Sequence, residues 1–212
     1  LRMWSKLWQK INNTVAGGAI LIAGFSFLSK ILGLLRERLI AYNFGASEIS
    51  DIYYAAFRLP DLIFNTLVLG ALTSAFIPVF QKVWHKNKEE GLKLANSTLN
   101  FFLLVIGGLV IIAWIFTPQI MQILTPGFSE WQIIKVSQLT RVMLLAILFF
   151  VASNVIGGIL NSWKKFFSFS LAASLYNVGI IVGIVWLDPI FGLVGLAWGV
   201  FLGAALHLLT QL

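Results

Sequence analysis

Six apolar runs dominate the chain, at approximately 14–44, 50–81, 94–117, 133–160, 168–187 and 192–212. Each reaches the roughly 20 residues that an α-helix needs to cross a hydrocarbon core about 30 Å thick. In lipid, every backbone N–H and C=O must find its partner inside the protein, which leaves only helices and closed barrels. Barrel strands run to about 10 residues with strict alternation, whereas these runs are longer and uniformly apolar. A hydrophobic fraction of 59% and a charged fraction of 11%, with a mean hydropathy of +0.91, exclude an ordinary soluble domain. The expected fold class is all-α, a polytopic helical membrane protein with about six transmembrane helices.

The net charge of +7 is an orientation signal. Arg2, Lys6 and Lys10 precede span one; Lys82, Lys86, Lys88 and Lys93 lie between spans two and three; Lys164 and Lys165 lie between spans four and five. The other connections, around Glu48–Asp51, Thr125–Glu130 and Asp188–Pro189, are acidic or neutral apart from Lys135 just after the second. This alternation follows the positive-inside rule and puts the N-terminal segment, 1–13, and both basic loops in the cytoplasm. It also argues against nucleic acid as a partner. Trp4, Trp8, Trp84 and Trp163 fit the inner interface, and Trp131 and Trp186 the outer one. Without cysteine there is no disulfide and no thiolate chemistry. Glycine pairs at Gly17-Gly18, Gly107-Gly108 and Gly157-Gly158 read as places of close helix approach. The last span reaches the end of the chain with no hydrophilic tail, so residues 14–212 are expected to be part of a larger transporter.

Charge inside the spans is the second constraint. An ionised group at the bilayer centre costs about 2.5–3.5 kcal/mol on insertion scales, so such groups usually face a bundle interior or a watery cavity. Span one carries Ser26, Ser29, Lys30, Gly33 and Glu37 on one helical stripe, with Arg36 at its edge and Arg38 pointing away. Two readings stand for its cations: a cationic cavity wall with Glu37 as counter-charge, or side chains snorkelling to the outer headgroups. Span two carries Asp51, Arg58, Asp61 and Asn65 at spacings compatible with one face, with Pro60 among them. Proline removes a helix hydrogen bond, and a broken helix at membrane depth is tolerated where it faces protein or water. The alternatives are a kinked, cavity-lining helix or a structural Arg58–Asp61 pair. Arg141 reads as an outer anchor or a ligand contact. Asn177, inside span five, reads as helix–helix glue or as a cavity residue. His85 and His207 lie far apart in sequence, and no catalytic, metal-binding or cofactor-binding pattern is present.

The run Leu28-Ser29-Lys30-Ile31-Leu32-Gly33-Leu34-Leu35-Arg36-Glu37, followed by Ala41-Tyr42-Asn43-Phe44-Gly45, resembles the first span of the MurJ/MviN family, bacterial flippases for the peptidoglycan precursor lipid II. Asp51 with Ala55-Ala56-Phe57-Arg58-Leu59-Pro60, the stretch Gly70 to Pro78, Pro126-Gly127-Phe128, Arg141-Val142-Met143, Ile159 to Trp163 and Asn177 extend the likeness. It implies one lobe of a two-lobed exporter, the second lobe being absent from this chain, and no cofactor. It also implies a cavity where cations hold the pyrophosphate of lipid II or a similar polyprenyl-linked glycolipid, whose tail stays among bilayer lipids. Carried over by position, Lys30 and Arg36 become the main headgroup candidates, with Glu37 beside them and Arg58 at a basic family position. Asp61, Asn65 and Asn177 complete the candidate set.

The chain departs from the family where an arginine pair is common, with Phe64 and Asn65 instead, and where a carboxylate is common, with Leu69 before Gly70. Phe169 and Ala173 replace prolines common at the start of span five. The expected function is lipid II translocation by alternating access. The alternatives are export of another polyprenyl-linked oligosaccharide or of drugs, or a non-transporting scaffold of cell-wall synthesis.

Overall fold

The computed structural model describes residues 15–69 and 76–212. The basic N-terminal segment with its tryptophans, and most of the Gly70–Pro78 stretch, lie outside the described residues. Span one is a single helix, α1 (Val15–Phe44). Span two, expected as one helix, is divided. It forms α2 (Glu48–Ala56), α3 (Arg58–Ile63), a π-helical segment (Phe64–Leu69) and, beyond 70–75, α4 (Ile77–Lys86). There follow α5 (Lys88–Ile115), a short α6 (Thr117–Leu124), the long α7 (Glu130–Ser162) and α8 (Phe166–Val182). A second π-helical segment (Gly183–Leu187) leads through α9 (Asp188–Phe191) to α10 (Leu193–Leu209). No strand occurs among the described residues.

Among the described residues, four helices are long and apolar enough to cross a membrane: Gly17–Phe44, Lys88–Ile115, Glu130–Ser162 and Phe166–Phe191. α10 has 17 residues, at the lower limit for a span. α7 is the central post, with half of its most apolar window buried, whereas only 6% of the α1 window is covered. α7 packs against α2, α3, α5, α6, α8 and α10. Its start is fixed by a reciprocal capping box: Ser129 Oγ accepts from Gln132 N, and Gln132 Oε1 accepts from Ser129 N at 2.7 Å. α5 is capped by Asn87, whose Oδ1 accepts from Glu89 N at 2.9 Å.

Two prolines explain where helices break, and α7 repairs both breaks. Pro60 has no N–H for the carbonyl of Ala56, four residues back. Thr140 Oγ1 donates to that oxygen instead, at 3.2 Å. Pro118 likewise cannot serve Trp114 O, which receives Arg141 Nε at 3.1 Å and Thr117 Oγ1 at 3.0 Å. The Arg141 guanidinium also sits over the Trp114 ring, 4.9 Å from its centroid. Two consecutive residues of α7 therefore satisfy the orphan carbonyls of two different helices, as the absence of water in a bilayer core requires.

Glycine meets glycine where α8 and its π-helical extension cross α10. A Cβ added to Gly179 would lie 2.3 Å from Gly203 Cα, and one on Gly183 would lie 2.6 Å from Gly199 Cα. Small residues four apart on both partners let the backbones meet. Of the glycine pairs singled out in the sequence, Gly157 and Gly158 abut Phe169 and Ile77, and Gly18 abuts Phe166. Gly107 and Gly108 face open space, with no close approach to any of the described residues.

Candidate functional site

The C-terminal half of α1, the broken α2–α3 segment and the middle of α8 enclose a cleft of about 360 Å³ lined by Arg36, Glu37, Tyr53, Tyr54, Phe57, Asp61 and Tyr176. Arg36 and Glu37 are chain neighbours, which do not normally face one another on a helix. The arginine side chain wraps back so that Nη2 and Nε donate to Glu37 Oε1 at 2.5 and 3.1 Å. Tyr54 Oη donates to the other carboxylate oxygen, Oε2, at 2.5 Å. Glu37 is thus held from both sides, and its charge offsets that of Arg36. The Tyr53 hydroxyl is buried on the wall of the same cleft, with no hydrogen-bond partner among the described residues. It is one of four such buried side-chain atoms among the described residues, with Ser47 Oγ, Ser137 Oγ and Trp163 Nε1, and the one that lines this cleft.

The cleft continues inward. A cavity of about 280 Å³ shares Phe57, Asp61 and Tyr176 with it and adds Asn65, Phe64 and Phe150. Pro60 lines this cavity too, so the proline break and the π-helical segment after it shape the wall between α3 and α7.

The structure gathers some of the sequence-derived candidates and separates others. Arg36, Glu37 and Asp61 share the cleft, and Asn65 lies one cavity further along. Lys30 is exposed, two turns before Glu37 on the same face, about 10 Å along the axis. It makes no ion pair or hydrogen bond among the described residues. Arg58 does not pair with Asp61; its Nη1 donates to Leu124 O at 2.6 Å, closing the end of α6 where the helix dipole is negative. Asn177 is buried between helices, donating to Ser29 O and Ser29 Oγ at 3.2 and 3.1 Å. Arg38 is exposed. The tyrosines of the cleft escaped sequence reasoning. Tyr53 and Tyr54 precede Pro60 by about two turns, and Tyr176 adjoins Asn177; the signal was polar-tipped aromatics beside charged positions.

The lipid II flippase MurJ family model matches residues 40–212. The chain belongs to the lipid II flippase MurJ family. A probable lipid II flippase MurJ of Buchnera aphidicola subsp. Schizaphis graminum is 36% identical over 191 residues, covering 88% of this chain and 37% of that protein. The lipid II flippase MurJ of Burkholderia cenocepacia is 32% identical over 200 residues, covering 90% of this chain and 38% of its own length. A solved structure, "Lipid II flippase MurJ, inward closed conformation", superposes with a TM-score of 0.75 at 32% identity, over 91% of this chain and 40% of that one. The chain therefore spans little more than a third of the curated relatives it matches. Family and helices together make it a multi-pass membrane protein; the MurJ-like fold is the all-α helical membrane fold expected from the apolar runs, and the lobe that the resemblance implied.

Proposed function

We propose that residues 14–212 form the N-terminal lobe of a bacterial inner-membrane lipid II flippase, with the N-terminus cytoplasmic, and that the Arg36 cleft receives the lipid pyrophosphate. One observation carries the reading: Arg36 is held by an internal carboxylate, beside a buried and unspent Tyr53 hydroxyl, on the least covered of the four long helices. A pyrophosphate entering from that open side replaces Glu37 as the partner of Arg36. Guanidinium suits the exchange, since its planar fork matches phosphate oxygens two at a time. Tyr54 retains Glu37 while Arg36 is engaged, and Tyr53 supplies a further donor. Lys30 extends the positive field toward the missing lobe, and the polyprenyl tail stays in lipid. Alternating access is then rocking of this lobe against the other.

A second reading has one specific support. Phe64, Asn65 and Leu69 remove cations and a carboxylate common in the family, which suits a related polyprenyl-linked glycolipid with a different headgroup. The test is translocation of labelled lipid II by the full two-lobed protein in vesicles. Arg36→Ala is expected to abolish it and Arg58→Ala to retain it. Equal activity of both variants refutes the assignment of the cleft; wild-type inactivity on lipid II, with activity on another polyprenyl pyrophosphate, supports the second reading.

A further inference from the structure

A third cavity, of about 320 Å³, lies between α1, α7, α8 and α10, and shares Phe64 and Phe150 with the cavity that holds Asp61 and Asn65. Its polar wall is Ser26, Ser153, Asn154, Ser170, His207 and Gln211. Among the described residues, no carboxylate, lysine or arginine lines it. Ser153 is fully buried and joins two partners, His207 Nδ1 at 2.5 Å and Gln211 Oε1 at 2.9 Å. Ser153 has one proton. Whichever partner takes it, His207 Nε2 stays unspent, as a donor in one tautomer and an acceptor in the other. The Asn154 amide donates to Phe150 O at 2.8 Å and keeps its own oxygen free. Flat apolar faces come from Phe64, Phe150 and Phe169.

We infer that this cavity is a subsite for an uncharged, hydroxyl-rich ring, a pyranose of the cargo. A phosphate is disfavoured, because burying a charge without a counter-charge is costly. A purely apolar ligand would leave the imidazole, amide and hydroxyl groups without partners. A sugar ring meets both demands: its C–H face stacks on phenylalanine and its edge of hydroxyls reaches Asn154, His207 and Ser26. The volume is at the small end for ligand pockets, suited to one ring. The inference rests on the lipid-linked sugar reading, since the shared walls place this subsite in line with the Arg36 cleft.

The test uses the full two-lobed protein in nanodiscs and two probes that separate the sites. Saturation-transfer NMR with methyl N-acetyl-β-glucosaminide, which has neither phosphate nor lipid, is expected to show transfer to the sugar in the wild type. Asn154→Ala and Ser26→Ala, outside the buried Ser153 network, are each expected to weaken it roughly two- to tenfold; His207→Phe is expected to abolish it. Inorganic pyrophosphate is expected to bind the wild type and not Arg36→Ala, while Arg36→Ala keeps the sugar signal. No transfer in the wild type, or equal transfer in Asn154→Ala and Ser26→Ala, overturns the subsite. Loss of the pyrophosphate arm alone refutes the Arg36 reading and leaves the subsite standing.

Discussion

Tyr53 and Asn177 are both buried polar side chains near the cleft, and their surroundings assign them opposite roles. Tyr53 Oη has no partner among the described residues, so Tyr53→Phe removes an unsatisfied group. That substitution should leave thermal stability unchanged or slightly raised, yet weaken lipid II binding by roughly two- to tenfold, the worth of one hydrogen bond. Binding and melting measured on the same sample check the pair of outcomes; a stability loss with unchanged affinity would make Tyr53 a packing residue. Asn177 joins α8 to α1 through Ser29. Asn177→Ala should cost about 0.6–2 kcal/mol of stability, the range for hydrogen bonds between membrane helices, while the folded fraction binds as before. Glu37 shows why charge alone misleads at this scale. The sequence stripe joined it to Lys30, but Arg36 and Tyr54 are its partners, because a long side chain can wrap where ideal helical spacing says it does not face.

The prolines were legible in the sequence, and their consequences were not. Pro60 announced a break in span two, yet nothing local indicates that Thr140, 84 residues away from Ala56, closes it. A double-mutant cycle isolates this link. Thr140→Val should destabilise by about 1–3 kcal/mol through a buried, unpaired carbonyl. In a Pro60→Ala background the restored N–H should largely remove that cost, and a full Thr140→Val penalty there would contradict the assignment. Glycine spacing was a clearer signal than glycine pairing. Gly179-x-x-x-Gly183 and Gly195-x-x-x-Gly199-x-x-x-Gly203 were readable as a two-sided stripe, and they are the α8–α10 contact. Gly199→Val should cost about 1–3 kcal/mol by overpacking, whereas Gly108→Ala, facing open space, should be neutral or gain up to about 1 kcal/mol in helix propensity. Melting of the two variants in detergent distinguishes them.

The class of molecule followed from the apolar runs, since length and uniform hydrophobicity leave few choices in a bilayer. The site was only partly legible, because periodicity gives a helix face without its neighbour: Arg58 and Arg141 are on polar positions but close helix ends at Leu124 O and Trp114 O. Lys30 and Arg36 are the cations of the proposed headgroup site, one without a partner among the described residues and one paired internally. Their helix, α1, is the least covered of the four long ones, with Lys30 exposed and Arg36 partly buried in the cleft, which suits the proposed headgroup site. Native mass spectrometry of the full two-lobed protein with lipid II tests this directly, comparing the wild type with Lys30→Ala, Arg36→Ala and Arg58→Ala. Loss of lipid II binding in the first two variants and its retention in Arg58→Ala are the expected result. Equal binding in all four proteins would contradict a headgroup site on α1 and leave only tail adhesion.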